Sequence, residues 1–90
     1  MRKKEFLKRS EARIIVFLNT VANSKKTGSW ISDTLHIDYI YIMRLLRGMY
    51  QLGWIKSHRY QERDYFEITE AAPLKIAKKI ITEEQDKLKA

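Results

Sequence analysis

The chain has 90 residues, no cysteine, and 18 Lys and Arg against 11 Asp and Glu, for a formal net charge of +7. A chain this short buries only about 60 to 70% of the surface its unfolded form exposes, so one core must draw on nearly every strongly apolar position. The lack of cysteine excludes disulfide frameworks, thiolate zinc sites and cysteine nucleophiles, and it fits a reducing interior.

Residues 1–9 form a basic N-terminal arm or helical extension, with Arg2, Lys3, Lys4, Lys8 and Arg9. As an extension it would pack Phe6 and Leu7 on a partner subunit; as an arm it would lie along a groove. Ser10 then reads as an N-cap with Glu11 in the first turn, and Ile14 to Leu18 make a helix over 11–22 that is buried on most sides. The polar stretch from Asn23 to Gly28 is a connection. Thr27 or Ser29 caps a short second helix ending near His36, with Trp30, Ile31 and Leu35 on its apolar side. Asp38 caps a third, over 38–52, in which Ile42, Leu45, Leu46, Met49 and Leu52 share one face and Ile40, Met43, Arg44, Arg47 and Gln51 the other. Gly53 ends it, since glycine adopts the left-handed closing conformation without penalty.

After Gly53 the period changes from 3.6 towards 2. Residues 54–60 and 65–69, rich in aromatic and β-branched side chains, predict a β-hairpin whose charged tip is Gln61-Glu62-Arg63-Asp64. With no glycine in the tip, an ordinary four-residue turn and a short hairpin are expected. Pro73 lies in the first turn of a last helix, capped near Thr69 and reaching about Leu88.

Charge is unevenly placed along this order. Residues 1–9 carry +4, 10–38 balance, 39–63 carry +4 and 64–90 come to −1. The second basic block holds Arg44, Arg47, Lys56, Arg59 and Arg63. A solvated surface accounts for bulk charge, but segregation into blocks favours a polyanion partner.

The order of helices, hairpin and closing helix resembles that of winged helix-turn-helix domains, and the residues extend the likeness. In bacterial and archaeal transcription regulators of the MarR, ArsR and PadR type, a capping Thr precedes a Leu-Ala pair. Then come Leu-Gly-Ile-Ser, spaced Val, Arg and Leu positions, and Gly-Leu-Ile. The present sequence is similar from Thr27 to Ile55 without a gap. Ile31-Ser32 stand at the Leu-Ala pair, Leu35-His36-Ile37-Asp38 at the turn, and Ile42, Arg44, Leu46 and Met49 along the third helix, before Gly53-Trp54-Ile55. Phe66-Glu67-Ile68-Thr69-Glu70 resembles the strand that ends in Leu-Thr-Glu. His36 departs from the turn glycine, and histidine tolerates the left-handed conformation better than most residues.

The resemblance implies an α+β winged helix-turn-helix fold, a three-helix core plus a C-terminal helix, with the winged domain over 10–72 and a C-terminal amphipathic helix over 73–90. It further implies sequence-specific binding of double-stranded DNA by a transcriptional regulator. The third helix would enter the major groove and the wing, 54–69, would meet the flanking backbone or minor groove. Arg44 and Arg47 offer paired donors to guanine or a phosphate, Ile40 and Met43 suit thymine methyls, and Tyr39 and Tyr41 suit phosphate oxygens. Lys56, His58, Arg59 and Arg63 of the wing, with Thr27 and Ser29 at a helix N-terminus, are further candidate contacts. Exposed Ile, Met and Tyr on a helix also describe a protein interface, so a winged-helix interaction module in a larger assembly is the alternative. On the last helix Leu74, Ile76, Ala77, Ile80, Ile81 and Leu88 cover a wide stripe, in which Leu74, Ile81 and Leu88 recur every seven residues with Glu84 interrupting; through Leu74, Ala77, Ile81 and Leu88 it either joins a homodimer or covers the first helix.

No Gly-rich phosphate loop, no ligand-spaced His and carboxylate set and no nucleophile with an activating partner is present, so no enzyme, cofactor, metal or small-molecule effector is expected. The longest apolar run, Ile14 to Leu18, is far short of the roughly 20 residues of a membrane span. The start Met1-Arg2-Lys3-Lys4-Glu5 lacks the apolar stretch of a secretory signal. A cytoplasmic protein without a membrane partner is expected.

Overall fold

The computed structural model describes residues 7–89. In chain order it contains α1 (Arg9–Thr20), a single 3₁₀ turn (Asn23–Lys25), α2 (Gly28–Leu35), α3 (Tyr39–Gln51), β1 (Ile55–Tyr60), β2 (Arg63–Ile68) and α4 (Leu74–Lys89). This is the winged helix-turn-helix arrangement expected from the sequence. Phe6 and the bases Arg2, Lys3 and Lys4 lie outside the described residues, and of Leu88 only the backbone is described.

α1 starts two residues before the predicted position because Ser10 is not its cap. Lys8 is the N-cap, and the Glu11 carboxylate, three residues on, accepts a hydrogen bond from the Lys8 backbone N–H at 2.9 Å. The helix also ends early, since Val21 is extended. For α2 the cap is Thr27, whose side chain accepts from the Trp30 N–H at 3.2 Å. His36 closes α2 in the left-handed conformation, φ 57° and ψ 45°. The turn is held by the Ile37 N–H donating to the Ser32 carbonyl at 3.1 Å and by the Ser32 hydroxyl donating to the Ile37 carbonyl at 2.6 Å. Asp38 caps α3 through the Tyr41 N–H at 3.1 Å. Gly53, at φ 79°, reverses the chain so that the Trp54 N–H reaches the Met49 carbonyl at 3.0 Å.

The hairpin departs from expectation in its turn. β1 and β2 pair antiparallel from Ile55↔Ile68 to Tyr60↔Arg63, leaving only Gln61 and Glu62 between them. Both have positive φ, 50° and 65°, the pattern of a type I′ two-residue turn. Arg63 and Asp64, read as tip residues, belong to β2, and each strand is six residues long. The turn matching the right-handed twist of paired strands was adopted despite the absence of glycine.

The start of α4 is also corrected. Thr69 does not cap it: its hydroxyl donates to the Gly53 carbonyl at 2.5 Å and accepts from the Ala71 N–H at 3.2 Å, tying the wing's exit to the end of α3. Pro73 stands before the helix rather than in its first turn, its carbonyl accepting from the Ala77 N–H at 2.9 Å.

The core joins Ile14, Ile15 and Leu18 of α1, Ile31 of α2, Ile42, Leu46 and Met49 of α3, and Trp54, Ile55 and Phe66 of the wing. Leu52, assigned to the buried face of α3, is instead exposed. α4 packs along α1, placing Leu74, Ile80 and Ile81 against the core. The interrupting Glu84 is accounted for there, since it forms a two-pronged ion pair with Arg9 at the start of α1. Leu7 and Ala77 were expected at a partner subunit. Both are buried in the chain's own core, at 9% and 0% exposure, Ala77 on the helix that packs along α1.

Candidate nucleic-acid interface

With Ile42, Leu45, Leu46 and Met49 turned inward, α3 presents the opposite side of its N-terminal half to solvent. Ile40 is 67% exposed and Tyr39 49%, with Tyr41, Arg44 and Arg47 beside them. Among the described residues neither arginine makes an ion pair. Met43 differs from its neighbours: it is half-buried where α3 crosses the start of α2. Gly28 makes that crossing close, since a Cβ there would sit 2.6 Å from Met43 Sδ. Met43 is thus placed mainly as packing between the two helices.

Two concavities flank this surface. One, of about 460 Å³, runs between α3 and the wing, with Arg44, Arg47 and Tyr50 on one wall and Ser57, Asp64 and Phe66 on the other. The second, of about 410 Å³, lies at the start of α2 and α3, where Thr27, Ser29, Tyr39 and Met43 face Glu62, Arg63 and Asp64. The fold thus brings together the predicted residues of α2 and α3 with Arg63 of the wing.

The rest of the wing is divided by the period of the strand. Ile55, Ser57 and Arg59 lie on the face shared with Asp64, Phe66 and Ile68, whereas Lys56, His58 and Tyr60 lie on the other with Arg63, Tyr65 and Glu67; Arg63, the first residue after the turn, nonetheless lines the concavity at the start of α2. Lys56 and His58 therefore point away from the α3 side. The imidazole of His58 stacks on Tyr65, centroids 6.0 Å apart and planes 9° from parallel. Across the strands Arg59 Nη1 is 3.6 Å from Asp64 Oδ1, and Lys56 Nζ is 3.9 Å from Glu67 Oε2.

These pairs change the electrostatic reading of the wing. Lys56, Arg59 and Arg63 are matched by Glu62, Asp64 and Glu67, so residues 55–68 are neutral overall. The block of +4 over 39–63 arose because its boundary falls inside β2 and assigns two of the wing's three acids to the next segment. Tyr50, Ser57 and Asp64 were the groove residues that the sequence reading passed over. A two-residue turn would have revealed Asp64, because it sets residue 64 opposite residue 59.

The connection before α2 is anchored more firmly than a polar loop implies. Thr27 forms an isolated bridge with Tyr65, and the Phe66 N–H donates to the Lys26 carbonyl at 2.8 Å, adding a short third rung beside β2. Lys25 Nζ lies 5.2 Å over the Trp30 ring, so this cation is engaged at the start of α2. Among the described residues no cluster of three or more His, Asp or Glu is placed to hold a metal ion, and no helix is long and apolar enough to cross a membrane.

No protein-family model matches the sequence, and no curated protein sequence does. Solved structures do match. The adhesin competence repressor AdcR of Streptococcus pyogenes superimposes with a TM-score of 0.73 at 17% identity, over 94% of this chain and 63% of that one. A variant of Lactococcus lactis ZitR gives 0.72 at 22% identity, over 99% and 60%. A variant of Staphylococcus aureus MepR bound to an oligodeoxyribonucleotide gives 0.69 at 15% identity, over 88% and 61%. The chain therefore spans about 60% of the length of these structures. At such identities the likeness establishes the winged-helix fold.

Proposed function

We propose that the chain is a transcriptional regulator that binds double-stranded DNA, with the N-terminal half of α3 in the major groove. The observation that carries this reading is the exposed face of α3, where Arg44 and Arg47 stand free of ion pairs among the described residues, beside Tyr39, Ile40 and Tyr41. An arginine on a helix narrow enough for the major groove offers paired donors to guanine O6 and N7, and the neighbouring apolar groups suit thymine methyls. Thr27, Ser29 and Arg63 line the adjoining concavity at a helix N-terminus, suited to a phosphate. By strand register Arg59 belongs to the near face of the wing, although it lines neither concavity, while Lys56 and His58 reach only backbone that passes the far face. The MepR complex with an oligonucleotide supports this reading by its shared fold.

The active form is a homodimer joined through α4. Ile76 supports this, being an isoleucine of α4 left 37% exposed beside Lys75 and Lys79 while Leu74, Ala77 and Ile80 turn to the core. Two-fold symmetry would double the footprint on a palindromic site.

Binding to duplex DNA as salt rises tests the proposal. Affinity should fall with a log-log slope of about −0.9 per neutralised phosphate, and selection from random duplexes should return a palindrome. No binding at low salt would leave the interaction-module reading, which the exposures of Ile40 and Tyr39 favour. Sedimentation of Ile76→Glu should show half the native mass, and an unchanged mass would remove α4 from the dimer.

A further inference from the structure

We propose that Asp64 is a specificity-determining residue, an acid set among the cations of the DNA-facing surface that suppresses binding to arbitrary duplex sequence. The inference rests on the duplex-binding reading above. Asp64 lines both concavities that flank the exposed half of α3, facing Arg44 and Arg47 in one and Thr27 and Ser29 in the other. Its side chain is 52% exposed, so a phosphate strand following either concavity meets the carboxylate directly. Within the wing it stands opposite Arg59, with Oδ1 3.6 Å from Nη1, and renders that cation locally neutral.

The consequence differs for the two kinds of complex. Without base contacts nothing sets the docking register, so the protein shifts until each free cation meets a phosphate, and affinity follows the number of such cations. A neutralised Arg59 is worth little there. When α3 makes base contacts the register is set by the bases, and Arg59 meets a phosphate only if that register puts one beside it. Removing the Asp64 charge therefore strengthens arbitrary binding more than specific binding. Glu67 provides a comparison within the same hairpin: it bears the same charge and also pairs with a cation, but lies on the face turned away from α3.

The test compares the wild-type chain, Asp64→Asn and Glu67→Gln on a duplex selected from random sequence and on the same duplex scrambled, from about 50 to 200 mM salt. Asp64 is exposed and caps no helix, so its variant retains the fold, and circular dichroism checks this. For Asp64→Asn the scrambled duplex should bind about eightfold tighter near 0.1 M salt, with a slope steeper by about 0.9, the value of one added phosphate contact. The selected duplex should gain less, so the ratio of affinities falls. Glu67→Gln should shift the slope by less than half as much. Equal shifts from both variants would reduce the effect to bulk charge and overturn the proposal, as would an Asp64→Asn slope that stays unchanged. A wild-type chain that binds neither duplex at low salt overturns the duplex-binding reading itself, an outcome distinct from those two.

Discussion

α3 and the wing carry similar numbers of cations and use them differently. On α3, neighbouring side chains are set by the helical period, and Arg44 and Arg47 emerge on a face where the helix itself has no acid. On the wing, strand pairing places a residue from each arm side by side, so Arg59 meets Asp64 and Lys56 meets Glu67. Such exposed pairs add little stability, typically 0 to about 1 kcal/mol. Their effect is on the field: they cancel charge that a residue count assigns to the surface. Net charge along a chain therefore overstates what a hairpin offers a polyanion, while it describes an isolated helix face fairly.

The strongest way to break the comparison is to separate the two regions. Trp54 is 1% exposed and links the end of α3 to β1, so Trp54→Ala should cost about 3 to 5 kcal/mol in denaturant unfolding. A smaller loss would mean that the wing packs on α3 without this anchor. Next in size is Arg44→Ala, expected to weaken binding to a selected duplex by about 1 to 3 kcal/mol and to relax preference at one position. If all sequences weaken equally in a titration panel, Arg44 contacts a phosphate. The smallest effect concerns the wing alone. Gln61 and Glu62 hold a conformation that costs non-glycine residues roughly 1 kcal/mol or more each, so the pair Gln61→Asn and Glu62→Gly should raise stability by about 1 kcal/mol. Unchanged thermal unfolding would mean that these side chains already relieve the strain.

The elements that the sequence made legible are those governed by local chemistry. Asp38, Thr27 and Gly53 act where they were expected, because a cap or a left-handed stop needs only neighbours a few residues away. His36 takes the left-handed turn for the same reason. Ser10 misled because the helix begins two residues before the predicted start, where Glu11 at the third helical position accepts the backbone N–H of Lys8. Met43, placed with the outward residues, is half-buried, because helical period distinguishes inward from outward whereas the seam over Gly28 depends on where another helix crosses. Among the candidate contacts, the α3 residues were legible as one face, but the division of Lys56 and His58 from Arg59 required the register.

By itself the sequence determined the element order, most of the inward face of α3 and the residues that start and stop α2 and α3, since periodicity and capping act over one or two turns. Only the tertiary structure decided which charges remain available, because that depends on pairs such as Arg59 with Asp64 and Arg9 with Glu84, which lie 5 and 75 positions apart. Electrostatic interaction falls off with distance through space, and folding makes that distance unrelated to separation along the chain.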